Sequence, residues 1–435
     1  MVAREGGLLL ARGLVQKNET YRLNLEGKGI SNAHLLIAGA SGSGKTSLMV
    51  KIIQELYYQG KTIFLIDFHG DLKIDGENHI KYTPRNSPYC VNPFEIELNP
   101  ESGGVIIQAE VITVMLNQYF MDNKLGRKQI NILKQAIIDT YKMKGIVDKD
   151  TSTWLKEAPV MEDLGHLVAY IKKMMNLASH TNKAILEESI ENIRTYLPKD
   201  KFDEVKDEIE KIENSINTID GEDEKELYES IDLSYYLHPS VKRVFEGLYV
   251  YLEDIVKMTI FNGAKPRITK GINRLDFSAF TQVNKPLIAK FLAEFTAQKL
   301  FRASMQRGQY SDLVDAPMGS KFDRILIFDE SKLALPHGAE KNNPYNIFSR
   351  IVTESRKYGL AVCLASQRVE HYSEEILSNI FTKIILRVKA NDYKSVAKAL
   401  GVKEEFVSGT FNITKGRPAI IETNGSKLSY LIEEF

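Results

Sequence analysis

HLLIAGASGSGKTSLMVKI, residues 34–52, places a short apolar run, a glycine-rich turn and an amphipathic segment in immediate succession. The run His34–Ala38 has no polar alternation, which is typical of a strand that is buried on both faces. The turn Gly39–Thr46 fits the pattern G-x-x-x-x-G-K-[ST], and apolar residues at helical spacing follow it from Leu48 to Leu56. This order of strand, loop and helix predicts a phosphate-binding loop at the edge of a parallel sheet.

The chemistry of this loop gives each of its residues a role. The glycines permit backbone conformations that point successive N–H groups inward, and the start of the helix adds positive potential. Lys45 supplies a charge for the β and γ phosphates, and the Thr46 hydroxyl completes the shell of a Mg²⁺ ion. The residues predicted to bind the nucleotide are Gly39, Ala40, Ser41, Gly42, Ser43, Gly44, Lys45, Thr46 and Ser47.

Further apolar runs predict the rest of the sheet, and helical patterns separate several of them. The fold expected from this alternation is doubly wound α/β, with a mostly parallel sheet covered by helices. Residues 6–33 resemble a strand pair ahead of the sheet. The four further runs are Thr62–Ile66, Arg324–Phe328, Leu360–Ala365 and Lys383–Val388.

Composition changes in the middle of the chain, where long charged stretches at helical period predict an all-helical insertion. The expected divisions are an N-terminal strand pair, a first part of the core, the insertion and a second part of the core, at 1–33, 34–99, 100–270 and 271–435. Within the insertion, Lys199–Asp232 holds 14 acidic and 5 basic residues, although the whole chain has no net charge. A polyanion should therefore approach a different face.

The same insertion contains a short heptad-like spacing, which favours a surface amphipathic helix over a coiled coil. The residues with that spacing are Val205, Ile209, Ile212 and Ile216. The longest apolar runs of the chain are far shorter than the roughly 20 residues of a membrane span, so we expect no transmembrane segment. Cys90 and Cys363 form neither a disulfide framework nor a metal pattern, and we expect a cytoplasmic protein.

Two acids follow the strand RILIF and should lie at the carboxyl edge of the sheet, where α/β proteins bind ligands. Asp329 is predicted to hold Mg²⁺, directly or through water. Glu330 is predicted to orient and polarise an attacking water. The alternative is a strand-end aspartate that caps the next turn beside an exposed glutamate.

Asp67 also ends a predicted strand, and Asp67–Gly70 fits the D-x-x-G element of GTPases. Residues 182–185 and 284–287 both lack the aspartate of a guanine-specifying N-K-x-D, so ATP is the preferred nucleotide. No L-S-G-G-Q sequence occurs, which argues against a transporter-type ATPase. For Asp67 a role in the nucleotide site and a role in forming a turn stay equally open.

The positions of a glutamine and three arginines in the sequence suggest side chains that could sense or stabilise the transferred phosphate. Gln367 comes directly after the strand GLAVCLAS, residues 359–366, and could hydrogen-bond both γ-phosphate and water. Arg356 is the candidate arginine finger, acting across a subunit boundary, and Arg387 and Arg417 compete for that role. The alternative for Gln367 is an ordinary loop glutamine. The alternative for Arg356 is a cation that interacts favourably with the dipole at the end of a helix.

These motifs together resemble the HerA/FtsK superfamily of ring-forming P-loop motors, particularly the type IV secretion and conjugation ATPases and the TraG-like coupling proteins. Besides GASGSGKT, the resemblance rests on LIDFHGDL, VNPFE at 91–95, LGRKQINILKQAI at 125–137, LIFDES and ESRKYGLAVCLASQ at 354–367. It implies a RecA-like fold with an all-helical insertion, a homohexamer, and ATP hydrolysis coupled to moving a polymer through the ring.

Some parts found in that superfamily are not expected here, namely N-terminal membrane spans, a long N-terminal barrel and a C-terminal winged helix. A stand-alone motor core is the expectation. Any membrane or nuclease partner would then be a separate chain, which could hold the protein at the inner membrane.

Three functions stay open from the sequence. The first is a DNA translocase that binds without sequence preference, with Lys73, Lys81 and Arg85 as candidate phosphate contacts. The second is an assembly or secretion ATPase that acts on protein components and binds no DNA. The third is a nucleotide switch that does no mechanical work. The first is preferred.

Overall fold

The computed structural model describes the larger part of the chain, in eleven ranges of residues. They are residues 8–13, 20–27, 29–101, 103–121, 124–180, 228–283, 285–310, 321–333, 347–414, 416–423 and 425–432. Most of the acidic stretch 199–232 and the spacing from Val205 to Ile216 lie outside them.

The chain divides into two compact units. One comprises residues 1–89 and 264–435, and the other residues 90–263. The first unit contains a large sheet, whose strands are β1 (Leu8–Gly13), β2 (Thr20–Leu23), β3 (Leu35–Ala38), β4 (Thr62–Asp67), β5 (Asn78–Lys81), β6 (Ile272–Asp276), β7 (Arg324–Phe328), β8 (Leu360–Ser366), β9 (Thr382–Leu386), β10 (Arg417–Thr423) and β11 (Ser426–Ile432).

The order of strands across the sheet is β2-β1-β11-β10-β9-β3-β8-β7-β4-β6-β5. The strands from β9 to β5 in this order are all parallel, whereas β10, β11, β1 and β2 continue the sheet in antiparallel fashion. Five of the parallel strands coincide with the five apolar runs, so the predicted α/β fold with a mostly parallel sheet is confirmed.

Helix α1 (Lys45–Tyr58) covers one face of this sheet. Its apolar stripe, Leu48, Met49, Ile52, Ile53 and Leu56, is buried in a core that includes alternate residues of the central strands. Each such Leu or Ile contributes about 1.5–3 kcal/mol by leaving water. The residues of β3 and β8 are buried on both faces, which is why these strands lack polar alternation.

The remaining helices of this unit connect or flank the strands. They are α7 (Ser278–Gln282), α8 (Pro286–Gln306), α9 (Ile347–Glu354), α10 (Glu374–Asn379), α11 (Tyr393–Leu400) and α12 (Glu404–Phe411). A single turn of 3-10 helix, Ser355–Tyr358, links α9 to β8.

Helices and the loops between them form the second unit, and its described residues contain no strand. Its helices are α2 (Val105–Phe120), α3 (Arg127–Met143), α4 (Met161–His180), α5 (Leu233–Leu237) and α6 (Pro239–Val256). Two buried tyrosines tie it together, because the Tyr141 hydroxyl donates to the carbonyl of Phe94 at 2.7 Å and the Tyr236 hydroxyl donates to Asp139 at 2.7 Å. Each of these pairs joins elements that are distant in sequence.

Candidate functional site

The loop between β3 and α1 has a backbone that its glycines make possible. Gly42 and Gly44 have φ values of 76° and 94°, in the left-handed region that other residues rarely adopt. A side chain at Gly39 would lie 2.7 Å from the Ser43 hydroxyl and 2.8 Å from Cβ of Leu386. The loop is therefore closed tightly against the end of β9.

The start of α1 is open to an anion. The residue before its first turn is Gly44, which provides no side-chain cap, and the first turn contains no acidic residue. The first amides of a helix have no partner within it and lie at the positive end of its dipole. Thr46 and Ser47 are exposed on this turn. The free amides and the dipole are together sufficient to bind a phosphate group at this position.

The Lys45 side chain folds back over the loop. Its ammonium group donates to the carbonyls of Gly39 at 2.6 Å and Ala40 at 3.2 Å. Burial lowers the pKa of Lys45, while the negative charges of Glu330 and Asp329 act in the opposite direction. Lys45 thus lies within electrostatic range of both acids.

The sheet explains why these distant residues meet. β3 pairs with β8 and β8 pairs with β7, all in parallel, so the ends of β3 and β7 lie two strand spacings apart, or about 10 Å. The predicted pair Asp329 and Glu330 follows β7 at this edge.

Asp329 is in a site that disfavours its charge. Burial raises its pKa to about 6, the nearby charge of Asp67 acts in the same direction, and His69 and Lys45 oppose it. The carboxylates of Asp67 and Glu330 lie close enough to act on Asp329, and carboxylate oxygens are hard donors of the kind that Mg²⁺ prefers. Among the described residues, no group of three or more His, Cys, Asp or Glu side chains is arranged to hold a metal by itself.

Glu330 has an unusual backbone and defined side-chain neighbours. Its φ is 60°, in the left-handed region, and its side chain is buried. Gln367, which follows β8, donates from Nε2 to Glu330 Oε2 at 3.3 Å. The ammonium of Lys332 lies 3.1 Å from Oε1 of the same carboxylate. The structure therefore brings the predicted base and the predicted sensor side by side.

Asp67 forms a turn and also belongs to this edge. Its Oδ1 accepts from the amides of His69 at 3.0 Å and Gly70 at 2.7 Å, while Oδ2 accepts from Arg274 at 3.1 Å. The turn-forming role is thus present. Its charge also acts on Asp329, so it influences the site without being free to turn toward a ligand.

The three candidate arginines lie at two different edges. Arg417 begins β10, and its guanidinium lies over Gly44, where an added Cβ would come within 3.3 Å of Nη1. Arg387 follows β9, and its carbonyl accepts from the amide of Ala40 at 2.9 Å. Arg356 is exposed and precedes β8, so it lies at the opposite, amino edge of the sheet. One chain therefore does not bring Arg356 to its own loop.

The candidate DNA contacts Lys73, Lys81 and Arg85 are all exposed. Lys81 ends β5, which is parallel to β3 and five strand spacings away, or about 24 Å along the carboxyl edge. Lys81 is therefore separate from the loop but lies at the same edge of the sheet.

Residues that the sequence analysis did not single out also shape the site. Arg274, inside β6, is the buried partner of Asp67, and it also bonds Glu77 at 2.8 Å. Ser331 directly follows Glu330, and its hydroxyl contacts the hydroxyl of Tyr372. Arg274 is a charged residue inside a short strand. A search of the sequence for apolar runs does not detect such a strand.

Comparison with known proteins places this geometry in context. The family model described as the central domain of helicase HerA matches residues 12–292. The DNA double-strand break repair helicase HerA of Saccharolobus solfataricus is 22% identical over 386 residues, 88% of this chain and 59% of that protein. HerA of Pyrococcus furiosus is 29% identical over 169 residues, 34% of this chain and 30% of that protein. The chain thus spans between three-tenths and six-tenths of the length of these two curated relatives.

Solved structures show the same fold. VirB4 of Thermoanaerobacter pseudethanolicus superimposes with a TM-score of 0.67 at 13% identity, covering 100% of this chain and 98% of that chain. The bacterial conjugative coupling protein TrwB gives a TM-score of 0.51 at 12% identity, covering 92% and 84%. The core is therefore a RecA-like P-loop ATPase fold. In the described part of the chain, no helix is long and apolar enough to span a membrane.

Proposed function

Because the chain belongs to the family defined by the central domain of helicase HerA, we propose that it is an ATP-hydrolysing ring motor that translocates DNA. The observation that carries this proposal is the parallel pairing of β3, β8 and β7, which brings the loop containing Lys45 and the pair Asp329 and Glu330 to one edge of the sheet. A cation, a metal-binding carboxylate and a second carboxylate beside a phosphate-binding loop are the parts that hydrolysis of a triphosphate requires.

The chain's own residues divide the work as follows. The loop amides and the start of α1 hold the phosphates, and Lys45 neutralises the β and γ oxygens. Thr46 and Asp329 would hold Mg²⁺, which supplies charge neutralisation at the phosphates when bound. Glu330 would orient and polarise the attacking water, and Gln367 would bond both Glu330 and the γ-phosphate.

Coupling to DNA follows from where the exposed cations lie. Lys73, Lys81 and Arg85 are exposed and are proposed to contact the DNA backbone, and Lys81 ends a strand at the edge proposed to bind the nucleotide. Such contacts are independent of sequence and weaken as salt rises. A homohexamer, with DNA in its central hole, is the proposed assembly, and the cytoplasmic location stays a prediction.

The decisive experiment measures ATP hydrolysis with duplex DNA, with single-stranded DNA and without DNA, over a salt series. We expect DNA to stimulate hydrolysis, and the stimulation to fall as salt rises. Lys45→Ala should lose nucleotide binding and hydrolysis together. Glu330→Gln should bind ATP yet hydrolyse it about 10²–10⁴-fold more slowly.

The same assay tests the DNA contacts. Replacing Lys73, Lys81 and Arg85 together by glutamine should reduce the stimulation by DNA and leave the basal rate unchanged. Lys398→Gln, which removes an exposed cation from α11, serves as the matched control. A basal rate that no DNA alters would contradict the proposal and favour the alternative, a secretion or assembly ATPase that acts on protein partners. Slow turnover with tight product retention would instead indicate a nucleotide switch.

A further inference from the structure

The backbone at Glu330 needs an external restraint. Its φ of 60° is unfavourable for a residue with a side chain, and its carboxylate is 7% exposed, so neither the backbone nor solvation favours this placement. Residues in such conformations persist where the surrounding structure holds them, and they concentrate at functional sites. The residues that hold Glu330 are therefore of functional interest.

The residue after Glu330 is held by a chain of two hydroxyls. Ser331 is fully buried, and its Oγ donates to the carbonyl of Ala365, in the neighbouring strand, at 2.8 Å. A serine hydroxyl has one hydrogen, so in the contact between Ser331 and Tyr372 the tyrosine is the donor. Burial raises the pKa of Tyr372, which keeps this hydroxyl protonated and able to donate.

Tyr372 belongs to the same segment as the predicted sensor. Gln367 leaves the end of β8, a turn at Val369–His371 follows, and Tyr372 comes directly after that turn. His371 Nδ1 lies 2.5 Å from the Ser366 hydroxyl, and Arg368 donates from Nε to Asp392 at 2.8 Å. The segment is thus anchored at both ends. Its one hydroxyl contact with the turn after β7 is made by Tyr372, among the described residues.

The first residues of this segment also touch the phosphate-binding loop. The carbonyl of Ser366 accepts from the amide of Gly39 at 3.2 Å. The loop, the Gln367 segment and the Glu330 turn are therefore connected by hydrogen bonds at the ends of three adjacent strands, β3, β8 and β7. Within this group, the contact between Tyr372 and Ser331 joins the Glu330 turn to the Gln367 segment, in addition to the bond between Gln367 and Glu330.

We propose that the hydroxyls of Tyr372 and Ser331 form a positioning clamp, which holds the Glu330 carboxylate and the Gln367 carboxamide together for attack on the γ-phosphate. The proposal rests on the proposed ATPase function. Tyr372 and Ser331 are both buried, so both act through Glu330 and Gln367.

The first test separates binding from chemistry. Tyr372→Phe and Ser331→Ala each remove one oxygen, and each should lower kcat for ATP about 10- to 100-fold, since small misplacements of reacting groups have effects of this size. The KM for ATP should stay within about threefold, because the groups that hold the phosphates are unchanged. Tyr141→Phe is the matched control, since it removes the hydroxyl of another buried tyrosine, in the helical unit. An equal loss of kcat in Tyr141→Phe would overturn the proposal.

A double-mutant cycle distinguishes positioning from general damage. If Tyr372 acts through Glu330, adding Tyr372→Phe to Glu330→Gln should not slow the residual hydrolysis further. Additive losses in the double variant would show that Tyr372 does not act through Glu330, and the clamp would be rejected.

A third measurement does not depend on hydrolysis. Amide hydrogen exchange of the full chain should become at least tenfold faster in residues 329–333 and 365–372 of Tyr372→Phe, and stay unchanged in α1 and in the helical unit. This result would support the clamp even if wild type failed to hydrolyse ATP, which would reject the proposed function alone. Unchanged exchange in both segments would overturn the clamp whatever the kinetics.

Discussion

At the scale of single residues, burial in the folded chain disfavours the charged forms of Lys45 and Asp329. Asp329 shows this most clearly, because burial and the charge of Asp67 raise its pKa to about 6. An acid with a raised pKa binds its proton more tightly in the folded state than in the unfolded state. The contribution of Asp329 to the free energy of unfolding is therefore most favourable below pH 4, and it is lost as the pH rises toward 6.

We accordingly expect Asp329→Asn to stabilise the nucleotide-free protein at pH 7.5 and to abolish Mg²⁺-dependent hydrolysis. The gain in the free energy of unfolding should be about 1–3 kcal/mol, and it should shrink at pH 4, where the wild-type carboxyl is protonated. Denaturant unfolding at several pH values measures both effects.

Asp276 provides a control of opposite sign. Burial opposes its ionisation, but hydrogen bonds from Ser278 and His79 lower its pKa. Its contribution to stability is present above its usual pKa and is lost as the pH falls, so Asp276→Asn should destabilise the protein at pH 7.5. A stabilising effect of Asp276→Asn, or a destabilising effect of Asp329→Asn, would contradict this account of the two carboxyls.

At the scale of elements, strand β6 gives the sheet edge its rigidity through buried charge. Arg274 is 4% exposed and faces Asp67 at 3.1 Å, Glu77 at 2.8 Å and Asp276 at 3.7 Å. It thus joins β4, β6 and the turn before β5. The turn at Asp67, whose charge acts on Asp329, is held in place by this arginine.

Arg274→Met should therefore destabilise the protein by about 3–5 kcal/mol, since it leaves the buried carboxylates of Asp67 and Asp276 without the arginine's charge. Arg350→Met is the matched control, because Arg350 is 43% exposed and pairs with Glu354 on the surface of α9. We expect that control to cost less than about 1 kcal/mol. Midpoints of urea unfolding provide the comparison, and a loss below 1 kcal/mol in Arg274→Met would show that the network is not needed for stability.

β6 also shows what sequence patterns predict and where they stop. The five apolar runs mark strands because those strands are buried on both faces, and such burial favours apolar residues without polar alternation. β6 reads Ile-Asn-Arg-Leu-Asp yet is buried at every position, because its polar side chains find partners that are far away in sequence. No local pattern contains those partners. β10 and β11 were passed over for a related reason, since partial exposure interrupts their apolar residues.

The site was predictable to the same degree. Glu330 and Gln367 follow two apolar runs, and the rule that parallel strands end at one edge was enough to expect them near the loop. The left-handed turn at Glu330 and the contact between Ser331 and Tyr372 depend on tertiary packing, and no residue spacing in the sequence predicts them.

At the scale of the whole molecule, the resemblance to the HerA/FtsK superfamily is confirmed by the family model and by the folds of VirB4 and TrwB. A single chain supplies Lys45, Glu330 and Gln367 at one edge of the sheet. Arg356 stands before β8 whereas Gln367 stands after it, and a strand of this length spans about 20 Å. If Arg356 stabilises a transferred phosphate, that phosphate must be bound to another copy of the chain.

Arg356→Ala should therefore lower kcat about 10³-fold or more and leave ATP affinity unchanged, whereas Lys357→Ala, its exposed neighbour, should retain activity. Mixing Arg356→Ala with Glu330→Gln gives the sharper result. In rings assembled at random from equal amounts, about a quarter of the interfaces combine an intact Glu330 with an intact Arg356 from the neighbouring chain, and hydrolysis should recover at those interfaces. The measurement is ATPase activity against mixing ratio, with each variant alone as the baseline. If no ratio exceeds that baseline although mixed assemblies are present by mass, Arg356 does not act across a subunit boundary.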